Sequence, residues 1–408
     1  MNRIQLGWID YSSEHRNKVL AVLSLLTAPG AVDELGIGQI RDGFADLLFP
    51  GTSTIHTRAK YFFLIPYLCM ELEQQRSLAP KSFLRKLNEM ELDLIEPLKN
   101  SGETGVIGAT AGRGLKRKPS SIYWTGLRTL GIFRYPHLSL EDYARTVCAV
   151  NQELAAQRAL GQGTGDEQAQ DDLDAYQSRV PGGFWRCLPP PKDWQKHVTI
   201  QLTAEEAAYL KDRINKAPLT RNSLLAYLTN QDPEKIRAID RIEDLGRVFP
   251  LPDSIRHVYD MAIRFSDFIY GATLRYNVIL STGENNAALN LWEAWRQSPF
   301  ATLAFDEYNP DEAMDFLRIS NYRLRRFLRR WCESYRAGDI ETVDELIVQR
   351  EIEIKSRDRA KLRNPSVYVY QDGHGMRGGK LDYRYGNAKV ILADIFDGLE
   401  KAHAKTIK

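Results

Sequence analysis

"DSIRHVYDMAIRFSDFIYGATLRYNVIL", Asp253–Leu280, repeats its apolar residues at three- and four-residue spacing over about seven helical turns. So long an unbroken helical period predicts one central helix and a chain organised around helices. Flanking segments agree. Val19, Leu20, Val22, Leu23 and Leu26 predict a helix capped by Ser12 or Ser13, and 40–48 predicts another that stops at Phe49-Pro50-Gly51. Thr52, Ser53 and Thr54 offer hydroxyl caps to an apolar helix over 55–75, kinked at Pro66. Ser139 to Asp142 and Thr203 to Glu206 match the capping box, while Asp232-Pro233 and Asn309-Pro310 set a capping side chain before a proline at the first helical position. Strand signals are confined to 105–109, 197–202 and 367–371. The expected fold is mainly α, a multi-lobed helical protein with a few short strands or hairpins.

Composition narrows the function classes. The 408 residues are 43% hydrophobic and 26% charged, which suits a folded chain of two or three domains rather than a disordered one. The polar run GQGTGDEQAQDD, 161–172, reads as a linker or loop. It divides an N-terminal helical domain (1–100) and a basic helical segment (101–160) from a C-terminal, mainly helical domain (173–408). Cys69, Cys148, Cys187 and Cys332 form no CxxC pair, so neither a zinc knuckle nor a disulfide framework is indicated. The N-terminus lacks a signal-peptide pattern, and the most apolar run, 61–70, is about half a bilayer span. A cytoplasmic protein with no membrane partner is expected. A net charge of +2 gives no global basic field, so recognition of a polyanion must rest on local clusters.

Two clusters stand out. Between Glu103 and Glu141 there is no acidic residue, while Arg113, Lys116, Arg117, Lys118, Arg128 and Arg134 lie in that window. Ser120 or Ser121 can cap a helix over 122–130, whose start would add backbone N–H groups and a positive dipole end to the cations before it. Tyr123 and Trp124 could stack on a base or fill a core. The second cluster, RLRRFLRRW at 323–331, places Leu324, Phe327, Leu328 and Trp331 on one helical stripe. Arg323, Arg326 and Arg330 flank it on one side, Arg325 and Arg329 on the other. These arginines can track a phosphate backbone or pair with carboxylates such as Asp311 and Glu312. Two further segments suit anions: Thr52, Ser53, Thr54 and Arg58 before the apolar helix, and the glycine-bearing 373–386 with His374, Arg377, Lys380 and Arg384.

Motifs that would fix a reaction are missing. Glu351 to Lys355, EIEIK, carries an acid-x-lysine pair like that of metal-dependent nucleases, but 341–361 reads as one charged helix. There is no HxxxH or HxH pair, no GxxxxGK[ST], and Gly36-Ile37-Gly38 lacks the third glycine of a dinucleotide loop. No metal, nucleotide cofactor or catalytic residue is assigned.

Four blocks carry a resemblance: GWIDYS (7–12), DELGIGQIRDGFADLLFPGTSTIHTRAKYFFLIPYL (33–68), KRKPSSIYWTGLRTLGI (116–132) and KLDYRYGNAKVILADI (380–395). Together they resemble a bacterial domain-of-unknown-function family, number 6361, associated with phage-defence loci. The resemblance implies a defence accessory protein whose partners include helicase or phospholipase D-type nuclease subunits, and it supplies no catalytic residues. The expectation is a nucleic-acid-binding subunit, with DNA the partner, of an anti-phage or DNA-processing complex. It would contact phosphates through Arg113, Lys116, Arg117, Lys118, Ser120, Arg128, Arg323, Arg326, Arg330, Arg377, Lys380 and Arg384, the two helical clusters lining a common groove. A protein-interaction scaffold and a nuclease with an unrecognised site are the alternatives.

Overall fold

Asp253–Leu280 forms one uninterrupted helix of 28 residues, as its period requires. The computed structural model describes residues 33–75, 78–160, 183–364 and 378–406. Sixteen α-helices occur among them. The first six are α1 (Gly38–Leu48), α2 (Tyr61–Glu73), α3 (Pro80–Asp93), α4 (Ile95–Lys99), α5 (Pro119–Thr129) and α6 (Leu140–Leu160). There follow α7 (Ala204–Lys216), α8 (Leu224–Leu228), α9 (Pro233–Ala238), α10 (Ile242–Val248) and the long α11 (Asp253–Leu280). The last are α12 (Asn286–Arg296), α13 (Glu312–Phe316), α14 (Tyr322–Arg336), α15 (Ile340–Lys355) and α16 (Tyr385–Thr406). The chain divides into two compact units, Met1–Phe44 with Tyr259–Leu381, and Ala45–Val258 with Asp382–Lys408.

The second unit is built on α2. Apolar nearly all round, it must be enclosed, and it packs against α3, α5 and α6 with Tyr61 to Cys69 and Leu72 buried. Phe133, Tyr143, Trp124 and Trp185 close one end of this core, with ring centroids 4.7 to 5.9 Å apart. Two glycines allow close approach. A Cβ at Gly126 would lie 2.6 Å from the Gly51 carbonyl, and one at Gly398 would lie 2.6 Å from the Ala207 Cβ where α16 crosses α7. Polar ties complete the packing. The Lys60 ammonium donates to both Glu206 oxygens at 2.7 and 2.6 Å, with both side chains buried. Glu206 also closes the expected capping box with Thr203.

In the first unit α14 and α15 form an antiparallel hairpin turned at Gly338, where φ is +70°, and Asp339 caps α15. The predicted stripe is buried throughout: Leu324, Phe327, Leu328 and Trp331. The Trp331 indole N–H reaches the Phe268 carbonyl of α11 at 3.2 Å. Asp33 accepts from the Ile37 and Gly38 amides at the start of α1, and buried Arg350 of α15 donates to the Leu35 carbonyl at 2.9 Å.

Several expectations shift. Residues 105–109 and 197–202 contain no strand, and among the described residues pairing is limited to an isolated antiparallel bridge between Phe133 and Trp185. The apolar helix begins at Tyr61, not near Ile55, because the amides of Thr57 and Arg58 bond to the Tyr123 hydroxyl and that of Ala59 to Asp394. Asn309 accepts from the Asp311 amide, and α13 begins only at Glu312. α15 ends at Lys355 because Ser356 adopts a φ of +71°. The helix expected after Ser12, the strand at 367–371 and the 161–172 linker lie outside the described residues.

Replacing Lys60 by methionine keeps the side-chain stem and leaves the Glu206 carboxylate buried without its cation. Unfolding free energy should fall by about 3–5 kcal/mol, read as a lower urea midpoint at unchanged slope. Adding Glu206→Gln should recover part of that loss, since paired sites do not add. A Lys60→Met variant as stable as the parent would refute this.

Candidate nucleic-acid interface

Proline at the first position of α5 fixes where that helix starts, and the cations before it are placed by a short 3-10 turn at Gly112–Gly114. Lys116 and Arg117 are exposed and have no ion-pair partner among the described residues. Arg113 pairs with Asp93 at 2.8 Å, both on the surface. Lys118 is half-buried and donates to the Leu115 carbonyl.

The helix start itself is already occupied. Ser120, expected as an outward cap and phosphate contact, is buried, and the Glu91 carboxylate of α3 accepts from its amide at 2.5 Å and its hydroxyl at 3.0 Å. An internal carboxyl group thus takes the position a phosphate would need. Burial pushes the Glu91 carboxyl up to about 7, against the opposing pull of the Ser120 bonds and Lys118. Tyr123 and Trp124 are core residues rather than base platforms. Arg128 is half-buried, with its Nε buried and unbonded, while Arg134 donates to the Trp185 carbonyl at 3.2 Å.

The threonine-rich loop is filled in the same way. Arg58 forms a bidentate bond with Asp394 of α16, at 2.9 Å from Nε and 2.8 Å from Nη2, and Nη1 donates to the Thr104 carbonyl. Asp394 also accepts from the Ala59 amide at 2.7 Å, so a carboxylate of this chain caps the approach to α2. Desolvation raises the Asp394 carboxyl in spite of those bonds. Thr52 donates to Phe49, Thr54 is exposed, and the Ser53 hydroxyl is buried without a partner. His56 stacks on Tyr123 at 4.0 Å with its Nδ1 unbonded, and burial lowers its pKa to about 4.

On α14 the arginines divide. Arg325 pairs with Asp311 and Asp315, Arg329 with Asp311, and Arg326 with Glu353 at 2.7 Å. Glu312, also proposed as a partner, pairs instead with Arg264. Arg323 and Arg330, seven residues apart on one flank, are exposed with no ion-pair partner among the described residues. Lys380 pairs with Asp267, and Arg384 with Asp46 at 2.6 Å. Arg377 lies outside the described residues. The Arg113–Arg134 segment belongs to the second unit and the Arg323–Arg330 helix to the first.

Sequence reading overlooked Arg357 and Arg363, which line a cleft with Arg330 in the first unit. The run SRDRAKLR, 356–363, was the available signal. Glu351 lies within α15 and is fully buried, bonded to Tyr276 and Lys355, each at 2.8 Å, while Lys361 bonds Glu34. Two carboxylates against two ammonium groups make a neutral internal network, and among the described residues no three potential metal ligands cluster. No helix among them is long and apolar enough to cross a membrane.

Residues 3–147 match the model of a family of unknown function, DUF6361. The match takes in the blocks at 33–68 and 116–132, and with them Glu91 and the loop before α2. The block at 380–395 and helix α14 lie beyond it. No curated protein and no solved structure matches the chain.

Glu91 and His56 give opposite pH dependences. Folding raises the Glu91 pKa from 4.5, so its contribution is complete below about 4.5 and is lost as pH rises towards about 7. Folding lowers the His56 pKa from 6.5, so its contribution is present above about 6.5 and is lost as pH falls towards about 4. Glu91→Gln removes the first term. Its stability should fall on acidification more steeply than the parent's between about pH 6.5 and 4.5, by up to about 1.4 kcal/mol per pH unit. Parallel denaturation profiles for the two proteins would contradict these assignments.

Proposed function

We propose that this chain binds nucleic acid through its phosphates, as a non-enzymatic accessory subunit of an anti-phage defence or DNA-processing complex in the cytoplasm. One observation carries the reading. Of the cations in the two basic segments, Arg113, Arg325, Arg326 and Arg329 are neutralised by the chain's own carboxylates, Lys118 and Arg134 bond backbone carbonyls and Arg128 is half-buried, whereas Lys116, Arg117, Arg323 and Arg330 are exposed without ion-pair partners among the described residues. Exposed, uncompensated guanidinium groups suit phosphate geometry, and such contacts hold a backbone without reading its sequence. The matched family adds no activity of its own, so the assignment to a defence complex rests on the resemblance alone.

Replacing Lys116, Arg117, Arg323 and Arg330 together by alanine should weaken binding to random-sequence duplex and single strands alike. If all four contact duplex phosphates, the slope of log affinity against log salt should become shallower by about 3 to 4. Stability should change little, because each side chain is exposed. Two double variants, one in each unit, report the patches separately. Parent protein that binds no nucleic acid at low salt would refute the reading. A folded quadruple variant that binds like the parent would point to a protein partner instead.

A further inference from the structure

A cleft of about 820 Å³ in the first unit is lined by α15 and the turn that follows it. That volume is within the range of small-molecule sites, roughly 300–1,000 Å³. Leu346, Val348 and Ile352 supply its apolar surface, and Arg330, Arg357 and Arg363 its cations. None of the three arginines has an ion-pair partner among the described residues, and all are exposed. Two carboxylates also line the cleft. Asp344 is neutralised by Arg275, which bonds both its oxygens at 2.5 Å, whereas Glu345 is exposed. Three guanidinium groups therefore face one uncompensated carboxylate, a surplus of two positive charges.

The turn holding two of these arginines is anchored on its inner side. Ala360 is fully buried, the Lys361 ammonium bonds Glu34 at 2.8 Å, and the Leu362 amide bonds Glu351 at 2.9 Å. Asn364 donates to the carbonyls of Arg357 and Ala360. With the backbone pinned between them, Arg357 and Arg363 are presented from a set position, which lowers the ordering cost of binding.

We propose that this cleft binds a nucleotide bearing a phosphomonoester. The dianionic phosphate, with a charge of about −1.5 to −2 at neutral pH, matches the surplus better than an internal diester does. Arg330, Arg357 and Arg363 bond its oxygens, and the nucleoside lies over the Leu346, Val348 and Ile352 surface. The ligand comes from one of two sources, a free mononucleotide or the phosphorylated end of a strand; in the second form the inference rests on the nucleic-acid reading above.

The test measures fluorescence anisotropy of a labelled single strand carrying a 5′-phosphate and of the same strand ending in a 5′-hydroxyl, with calorimetry of adenosine monophosphate. The 5′-phosphate should tighten strand binding by at least about tenfold. Arg357→Gln with Arg363→Gln should remove that preference and leave the 5′-hydroxyl strand bound as before, with an unchanged circular dichroism spectrum. Equal binding of both strands without binding of adenosine monophosphate overturns the inference and leaves the nucleic-acid reading standing. Adenosine monophosphate binding that depends on Arg357 and Arg363, with neither strand bound, supports the free-nucleotide source and overturns that reading. Failure of all three ligands to bind overturns both.

Discussion

The Lys60 ammonium sits between the two oxygens of Glu206 with almost no access to water, and two residues earlier Arg58 grips Asp394. These pairs fix the loop ahead of α2 to α7 and α16, so three separate stretches of the second unit meet at one charged seam. Desolvation makes each member costly alone. Each member of a pair therefore depends on its partner, and the close crossing at Gly398 joins the same two helices, α7 and α16. Glu91 repeats the device at α5, where a buried carboxylate satisfies amide and hydroxyl together.

This internal satisfaction decides what the surface can offer. A helix start receives an outside anion only if its amides point at solvent, and here the two most inviting positions are closed by Glu91 and Asp394. Positive charge without a carboxylate partner lies instead on exposed side chains, among them Lys116 and Arg117 before α5, Arg323 and Arg330 along one flank of α14, and Arg357 and Arg363 in the turn after α15. Charge of that kind is screened by salt and indifferent to base sequence, which sets the character of any polyanion contact.

The helical architecture could be read in advance because its signals are local. The apolar period of α11, the stripe of α14, and the caps Thr203, Asp232 and Ser139 depend on residues within a few positions of one another. The basic segments could be located for the same reason. Errors arose where a residue's hydrogen bonds leave its own neighbourhood. Thr52 to Thr54 read as caps, yet the following amides are taken by Tyr123 and Asp394. Likewise, Ser120 read as an outward cap until Glu91, twenty-nine positions away, claimed it.

Sequence by itself therefore determined that this chain is helical, where helices such as α6, α7, α9 and α11 begin, and which segments carry concentrated positive charge. Tertiary structure decided which of those charges remain available. Arg326 and Arg330 belong to one helix and are chemically identical, but Glu353 faces the first while the second opens on a cleft with Arg357 and Arg363. Nothing in the spacing of RLRRFLRRW distinguishes them, because Coulomb attraction depends on distance in space, and Glu353 comes near only when α15 folds back along α14.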